Sequence, residues 1–381
     1  MPSPTAVRRR RVAVASAAAV ALFAGVAIGA GDEEAPTVRE VRDVVRASTP
    51  TPTPSATSAP GEQPVDELTL KQQVGQLIVL RFQGTTAPAY VRNALRKRWT
   101  SGAILFKDNI TDAAQLKRLT RQLRRASPDA TPIVSTDQEG GEVRRIAWAP
   151  PASGQAGQVP GRDAKAAAQA LKAHGLNVSF APVADVPTSA ASAMRGRAFS
   201  TDPNAVARAT KAAVEGWRAG GVAATAKHFP GLGGATTNTD YGSASIAGAP
   251  TTADLAPFKA AIAAKVPLIM SSNARYPRLD PDRIAGQSSR ILEDLLRKEL
   301  KFQGVVITDS IEAASVRATG STEQIAVRSI RAGNDIVLTT GQGSWLRAFR
   351  ALEAEAKRSK AFRERVRTSA ARVLALQENL S

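Results

Sequence analysis

The stretch that decides the fold is Gly304-Val305-Val306-Ile307-Thr308-Asp309-Ser310, in which a short apolar run ends directly in a carboxylate. Similar short runs recur along the chain, separated by longer amphipathic stretches, and this alternation is typical of βα units and a parallel sheet. The strand candidates are residues 76–81, 103–106, 132–136, 178–182, 223–227, 268–272, 305–308 and 335–339. Because eight parallel strands close a barrel, we predict an α/β fold of the (β/α)8 type.

Helices are expected between these strands, at residues 163–174, 203–219 and 289–300 among others. The second begins after Asp202 with Pro203 in its first turn, which is a common helix start. The residues after 339 have a wholly helical pattern. We therefore expect one folded domain, the barrel, over residues 66–381.

The N-terminal residues have the pattern of an export segment. Four arginines, Arg8 to Arg11, precede the uncharged and largely apolar run 12–30. This pattern predicts a signal peptide or a signal anchor within residues 1–31. Residues 32–65 become rich in Thr, Pro and Ser, which predicts an extended linker. We therefore expect an extracytoplasmic protein, either secreted or anchored to the outer face of the cytoplasmic membrane.

The composition restricts the partners and the chemistry. The chain has 51 Lys and Arg against 33 Asp and Glu, and this excess makes an anionic cell-envelope polymer a candidate partner. No nucleic-acid-binding signature accompanies the charge, so no nucleic acid is expected.

The absence of cysteine excludes disulfides, thiolate metal sites and Cys nucleophiles. Neither a dinucleotide-type glycine loop nor carboxylates at metal-ligand spacing occur, so we expect no cofactor or metal. A monomer is expected, since nothing indicates a hydrophobic interface.

Polar residues follow the C-terminal ends of the predicted strands, where (β/α)8 barrels build their sites. They are Asp108, Asp137, Asp185, Lys227, His228, Asn273 and Asp309. One such residue alone is equally well a helix cap or a rim ion pair, but several charges at strand ends cost desolvation unless they are used. Carboxylates together with Lys and His suit a pocket that holds hydroxyl groups, and a pair of carboxylates is what glycosidic bond cleavage needs.

Five segments carry a resemblance to the barrel domain of glycoside hydrolase family 3, and within it to the short, single-domain β-N-acetylhexosaminidases. They are residues 135–141 (STDQEGG) with Arg145, 180–186 (FAPVADV), 197–200 (RAFS), 227–231 (KHFPG) and 307–310 (ITDS). The resemblance implies a retaining β-glycosidase that acts on terminal β-linked N-acetylglucosamine, as in cell-wall glycans. It also implies that Asp309 is the nucleophile, and a short carboxylate at the end of a rigid strand suits that role independently.

The same resemblance implies a set of residues that hold the sugar. They are Asp137, Arg145, Arg197, Lys227 and His228. Charged groups make stronger hydrogen bonds to neutral hydroxyls than neutral groups do, and so fix the position of the ring. Arg145 and Arg197 have an alternative interpretation as structural partners of Asp137 or Asp185, and Asp185 itself is interpreted as structural.

The acid/base position departs from the family pattern. In the hexosaminidases that the chain resembles, the loop after the Lys-His-Phe-Pro-Gly motif ends in Asp-Ser-His, and this His is the acid/base. Here the loop 232–242 reads LGGATTNTDYG, which places Asn238 and Asp240 at the Asp and His positions. His174 ends a predicted helix and is interpreted as a surface or packing residue. No histidine is therefore left for the acid/base role.

Three interpretations of this departure stay open. In the first, Asp240 acts as the acid/base, with a pKa raised by desolvation and by the charge of Asp309. In the second, Asp108 or Glu142 acts instead. In the third, the barrel is an inactive envelope protein that binds carbohydrate without turnover. A β-glucosidase-type exo-hydrolase is a further alternative. Because a carboxylate at residue 240 would repel phosphate, the sequence also predicts hydrolysis rather than phosphorolysis.

Overall fold

A barrel of parallel strands forms the body of the protein in the computed structural model, which describes residues 64–380. The strands are β1 Ile78–Arg81, β2 Gly102–Ile104, β3 Ile133–Thr136, β4 Gln138–Gly140, β5 Val143–Arg144, β6 Val178–Ser179, β7 Ala223–Phe229, β8 Leu268–Ser271, β9 Arg275–Tyr276, β10 Asp280–Ile284, β11 Val305–Thr308 and β12 Val337–Thr339. Eight of these described strands pair in the order β11-β8-β7-β6-β3-β2-β1-β12. A parallel bridge between Ile307 and Ile336 brings the two ends of this sheet together, which confirms the predicted (β/α)8 barrel.

Helices alternate with the barrel strands. They are α1 Leu70–Gln76, α2 Ala89–Arg96, α3 Ala113–Arg125, α4 Pro160–Ala173, α5 Pro203–Ala219, α6 Thr252–Ala263, α7 Arg290–Glu299, α8 Ala314–Arg317, α9 Thr322–Ala332, α10 Ser344–Arg358 and α11 Lys360–Glu378, with 3-10 turns at Pro64–Glu67, Lys107–Asn109, Gln155–Gly157 and Ala285–Gln287. Of these, α7 is wound as a π-helix. The start of α5 is as predicted, because the Asp202 carboxylate accepts hydrogen bonds from the Asn204 and Ala205 amides.

The interior of the barrel is apolar and is closed at its N-terminal end by α11. Inward-facing strand residues such as Val79, Val178 and Ile307 form one cluster with Val373 and Leu376 of α11. Buried Asp335 holds α11 in place, because it accepts hydrogen bonds from three arginines and a serine. These are Arg297, Arg365, Arg372 and Ser369. Polar residues such as Asp137 and Asp309 follow the strands at the opposite, C-terminal end of the barrel.

Several predicted strand bounds were wrong. The first strand begins at Ile78, because Gln76 belongs to α1. The ladder of the fourth strand ends at Ser179, and Pro182, which closes the predicted range, has no N–H to donate to a ladder. The fifth strand continues to Phe229, beyond the predicted end at residue 227. The two antiparallel ribbons, β4–β5 and β9–β10, were not predicted.

The predicted export segment and almost all of the linker lie outside the described residues. Within residues 64–380, no helix has the length and apolar character needed to cross a membrane.

Candidate active site

The β4–β5 ribbon folds the chain after β3 back over the barrel mouth. Gly140 and Gly141 turn the ribbon with φ angles of +99° and +58°, a region that other residues adopt only with strain. The Arg145 amide then donates to the Asp137 carbonyl at 3.3 Å. The Arg145 guanidinium lies 3.6 Å from Asp137 Oδ2. The motif that begins with Asp137 is therefore a hairpin that returns Arg145 to it.

Lys227, near the end of β7, joins the carboxylates of Asp137 and Glu139. Its Nζ lies 2.8 Å from Asp137 Oδ1 and 2.7 Å from Glu139 Oε1. Arg197 donates to both oxygens of Glu139, at 2.9 and 2.7 Å. The structure thus brings four of the predicted sugar-holding residues into one network. Glu139 was not among the predicted site residues, although its position two residues after Asp137 in an extended segment places it on the same side.

The two central charges of this network, Glu139 and Lys227, are buried but compensated. Burial disfavours the ionised form of Glu139, yet Lys227 and Arg197 outweigh it and lower the pKa of Glu139 from its ordinary value of 4.5 to about 2. Burial likewise disfavours the charge of Lys227, but Asp137 and Glu139 raise the Lys227 pKa. The network therefore keeps fixed charges at the barrel mouth over a wide range of pH.

We predict that Glu139→Gln lowers the free energy of unfolding by about 3–5 kcal/mol near neutral pH, because it leaves buried Lys227 and partly buried Arg197 without a shared counter-charge. Since the folded-state pKa of Glu139 is lowered, its ionic contribution is present above about pH 4.5 and is lost as the pH falls toward about 2. Urea unfolding at several pH values measures both effects.

The matched control for this experiment is Asp294→Asn. Asp294 pairs with Lys298 at 2.8 Å on the exposed face of α7, where an ion pair contributes at most about 1 kcal/mol. Equal losses of stability for the two variants would contradict the assignment of Glu139 as the centre of a buried network.

Asp185 holds the His228 ring and the chain around it. The carboxylate is fully buried, and Oδ2 lies 2.8 Å from His228 Nδ1. Its Oδ1 accepts hydrogen bonds from the amides of His228 and Leu232, at 3.1 and 2.7 Å. The acceptor favours the proton on Nδ1 and turns Nε2 toward Asp309 Oδ2, which lies 4.0 Å away. Asp185 therefore orients His228 toward the predicted nucleophile.

Asp309 directly follows β11, and one of its carboxylate oxygens accepts a main-chain hydrogen bond. The Ser310 amide donates to Oδ1 at 2.7 Å, while Oδ2 faces His228. Asn273, after β8, donates to the Ser310 carbonyl at 3.1 Å and so fixes the turn. The side chain is 18% exposed, so the carboxylate is held by its neighbours yet reachable from the barrel mouth. The Ser310 amide therefore leaves Oδ2 as the oxygen that faces His228.

The loop that carries Asp240 is bonded to α8, the short helix that follows Asp309. The Ala314 amide donates to the Asp240 carbonyl at 3.1 Å, and Ser315 donates to the Thr239 carbonyl through both its amide and its hydroxyl. The Asp240 amide donates to Asn238 Oδ1 at 3.0 Å. Main-chain contacts therefore tie the Asp240 loop to the segment that carries the predicted nucleophile.

The environment of Asp240 keeps its carboxyl protonated to a higher pH than usual. Although the residue as a whole is exposed at the rim, crowding by protein atoms removes water from the carboxyl, and this desolvation raises the Asp240 pKa most. The charge of Asp309 raises it further, and His228 and Arg197 offset part of the effect. The charge of Asp309 therefore acts on the carboxyl of Asp240.

The alternative acids are placed differently. Asp108 pairs with Arg81 at 3.2 Å, and Glu142 is exposed at the turn of the β4–β5 ribbon. His174 lies at the C-terminal end of α4 with its ring against Trp148. Within residues 64–380, no group of three or more His, Asp or Glu side chains is arranged to hold a metal ion.

The barrel is similar in sequence and structure to known proteins. Residues 69–376 match the family model described as the glycosyl hydrolase family 3 N-terminal domain. An uncharacterized secreted glycosyl hydrolase from Arthroderma benhamiae is 35% identical over 302 residues, which cover 74% of this chain and 85% of that protein.

Two solved structures are also similar. A glycoside hydrolase family 3 β-N-acetylglucosaminidase from Paenibacillus sp. str. FPU-7 has 32% identity and a TM-score of 0.74, and the match covers 82% of this chain. This chain spans only 63% of the length of that enzyme. A β-N-acetylhexosaminidase from Beutenbergia cavernae DSM 12333 has 33% identity and a TM-score of 0.74, with 82% of this chain and 99% of that chain covered.

Proposed function

Because the chain belongs to glycosyl hydrolase family 3, it is a glycoside hydrolase, and we propose that it hydrolyses terminal β-linked N-acetylglucosamine with retention of configuration. The observation that carries the proposal is the pair formed by Asp309 and Asp240. Asp309 directly follows a rigid strand. Asp240 lies on a loop that is hydrogen-bonded to α8, and the charge of Asp309 is one cause of its raised pKa. A retaining glycosidase needs such a pair, one ionised and one protonated.

In the first step, Asp309 Oδ2 attacks the anomeric carbon and forms a covalent bond to the sugar. The bond between the anomeric carbon and the glycosidic oxygen breaks, and the Asp240 carboxyl gives its proton to that oxygen, so that the aglycone leaves as an alcohol. In the second step, the Asp240 carboxylate takes a proton from water. The resulting hydroxide adds to the anomeric carbon as the bond to Asp309 breaks, and both aspartates return to their starting states.

The charged network beside this pair provides the contacts to the sugar. Asp137, Lys227 and Arg145 form one wall, and His228, held by Asp185, faces Asp309. Such pre-organised charged groups fix the ring and its pucker before reaction. The N-acetylglucosamine specificity is supported by the activities in the names of the two similar structures. Cell-wall glycans are the proposed source of the substrate.

We extend the proposal to the location of the protein. The basic cluster and the uncharged run before the barrel support export, and the description of the Arthroderma relative as secreted agrees with it. The excess of 51 basic over 33 acidic residues favours retention near anionic envelope polymer.

The function is tested by release of 4-nitrophenol from a panel of 4-nitrophenyl β-glycosides by the purified protein. We expect the N-acetylglucosaminide to have the highest kcat/KM of the panel. A higher value for the β-glucoside would move the assignment to a β-glucosidase-type hydrolase, and no turnover of any member would favour a carbohydrate-binding barrel.

We also predict that water, and not phosphate, accepts the sugar from the glycosyl-enzyme. The Asp240 carboxylate is ionised after it has given up its proton, and it repels an incoming phosphate dianion. Product analysis by phosphorus NMR in phosphate buffer should show free sugar and no sugar 1-phosphate. Asp240→His removes the repelling charge and serves as the comparison. Sugar 1-phosphate as the main product of the wild-type protein would contradict the electrostatic argument.

A further inference from the structure

A separate cavity opens at the catalytic face of the barrel, between the ends of β1 and β12. Its volume is about 190 Å3, far more than one ordered water needs. Arg81 is the last residue of β1, and Thr340 directly follows β12. The cavity is further lined by Gln83, Pro88, Tyr90 and Gln342. No step of the mechanism above uses it.

The lining combines an aromatic wall with a polar rim. The Tyr90 ring stacks on Trp345, with ring centroids 6.4 Å apart and planes 12° from parallel, so Tyr90 is a supported platform. Tyr90 is 46% exposed, which leaves ring surface for a ligand. A pyranose ring has the complementary chemistry, since its C–H face packs on an aromatic ring and its hydroxyls meet Arg81 and the two glutamines.

Arg81 brings a second indication of a polar ligand. The residue lines the cavity beside Phe82 and Gln83. Its guanidinium is held by Asp108 at 3.2 Å and lies 4.7 Å from the centre of the Phe106 ring. The Arg81 side chain is nevertheless 30% exposed, so the guanidinium N–H groups that do not face Asp108 are free to donate to a hydroxyl oxygen of a ligand.

Two short paths of contacts connect the cavity to the catalytic carboxylates. On one side, the Thr340 hydroxyl lies 2.6 Å from that of Ser310, whose amide donates to Asp309. On the other side, Phe106 lies between the guanidinium groups of Arg81 and Arg145, and Arg145 pairs with Asp137. Residues that line the cavity therefore contact direct neighbours of Asp309 and Arg145.

We infer that this cavity is the subsite for the sugar on the leaving-group side of the scissile bond, so that the natural substrate is an oligosaccharide whose second pyranose ring packs on Tyr90. The inference rests on the proposed hydrolysis of β-N-acetylglucosaminides. It adds a location for the leaving sugar, which the catalytic aspartates do not define.

The test compares two substrates with the same reacting sugar. In N-acetyl-β-glucosaminyl fluoride the leaving group is one atom and cannot fill the cavity, whereas in the β-1,4-linked disaccharide of N-acetylglucosamine it is a pyranose. We expect Tyr90→Ala to lower the ratio of kcat/KM for the disaccharide to that for the fluoride roughly tenfold, because binding energy from the remote sugar contributes to kcat/KM.

Gln342→Trp provides an independent variant, since Gln342 is exposed and a large side chain there fills the cavity without replacing a buried group. It should lower the same ratio. Trp148→Ala is the matched control, because Trp148 is 44% exposed, packs on His174 and does not line the cavity. An unchanged ratio in both cavity variants, with Asp309-dependent turnover of the fluoride intact, would overturn the subsite alone. No turnover of either substrate by the wild-type protein would overturn the proposed function and this inference with it.

Discussion

Replacement of Asp309 by Asn should lower kcat for 4-nitrophenyl N-acetyl-β-glucosaminide by at least about a thousandfold, which corresponds to about 4 kcal/mol of lost transition-state stabilisation. The Asn side chain has the same shape as the Asp side chain. Its oxygen can still accept the hydrogen bond that the Ser310 main-chain amide donates to Asp309 Oδ1. It cannot form the covalent glycosyl-enzyme, because an uncharged amide is a poor nucleophile. Initial rates of 4-nitrophenol release measure the effect.

The control for this variant is Asp129→Asn. Asp129 is an exposed carboxylate between α3 and β3, at the opposite end of the barrel from the catalytic face. Its replacement should leave kcat within about twofold, since surface changes away from a site have small effects. If Asp309→Asn retained a rate close to that of Asp129→Asn, Asp309 could not be the nucleophile.

Asp240→Asn should lower kcat/KM about 10²- to 10⁴-fold for substrates with a poor leaving group, the range typical of a lost general acid. The loss should be smaller for a 2,4-dinitrophenyl glycoside, because that leaving group departs without protonation. Since desolvation of the carboxyl and the Asp309 charge raise the pKa of Asp240, the protonated acid persists above the usual pH range of an aspartate and is lost as the pH rises further. The basic limb of the wild-type pH profile should therefore disappear in the variant.

Tyr241→Phe is the matched control on the same loop. Tyr241 is 85% exposed, and its main chain, which is bonded to Asn238, is unaffected by removal of the hydroxyl. If Asp240→Asn kept the pH profile and the rate of the wild-type protein, another group, such as Asp108 or Glu142, would supply the proton.

Much of the fold could be predicted because the barrel strands are short apolar runs that end in polar residues. Val305–Thr308, followed by Asp309, is the clearest case, and its bounds agree with the structure. The β4–β5 ribbon could not be predicted in the same way, since Gln138–Gly140 and Val143–Arg144 are short and partly polar. Its pairing depends on the positive φ angles of two glycines and on its packing over the barrel mouth.

The sequence predicts those residues of the site that lie at the C-terminal ends of strands. Parallel strands finish at one edge, so Asp137, Lys227 and Asp309 had to meet there. Glu139 was missed because its partners, Lys227 and Arg197, are distant in sequence and a single sequence does not reveal the bidentate contact. The contact of the Asp240 loop with α8 is made mainly through carbonyl oxygens, which every residue has, so side-chain identity gives no signal for it.

We expect the sugar to be transferred to Asp309 during turnover. A slow fluorinated N-acetylglucosaminyl substrate, which allows the first step and retards the second, should trap the intermediate on the wild-type protein. Mass spectrometry of the intact protein and of its proteolytic peptides should then show one added sugar, located on the peptide that contains Asp309. An unmodified protein that nevertheless turns the substrate over, or a sugar attached to a different carboxylate, would contradict the account.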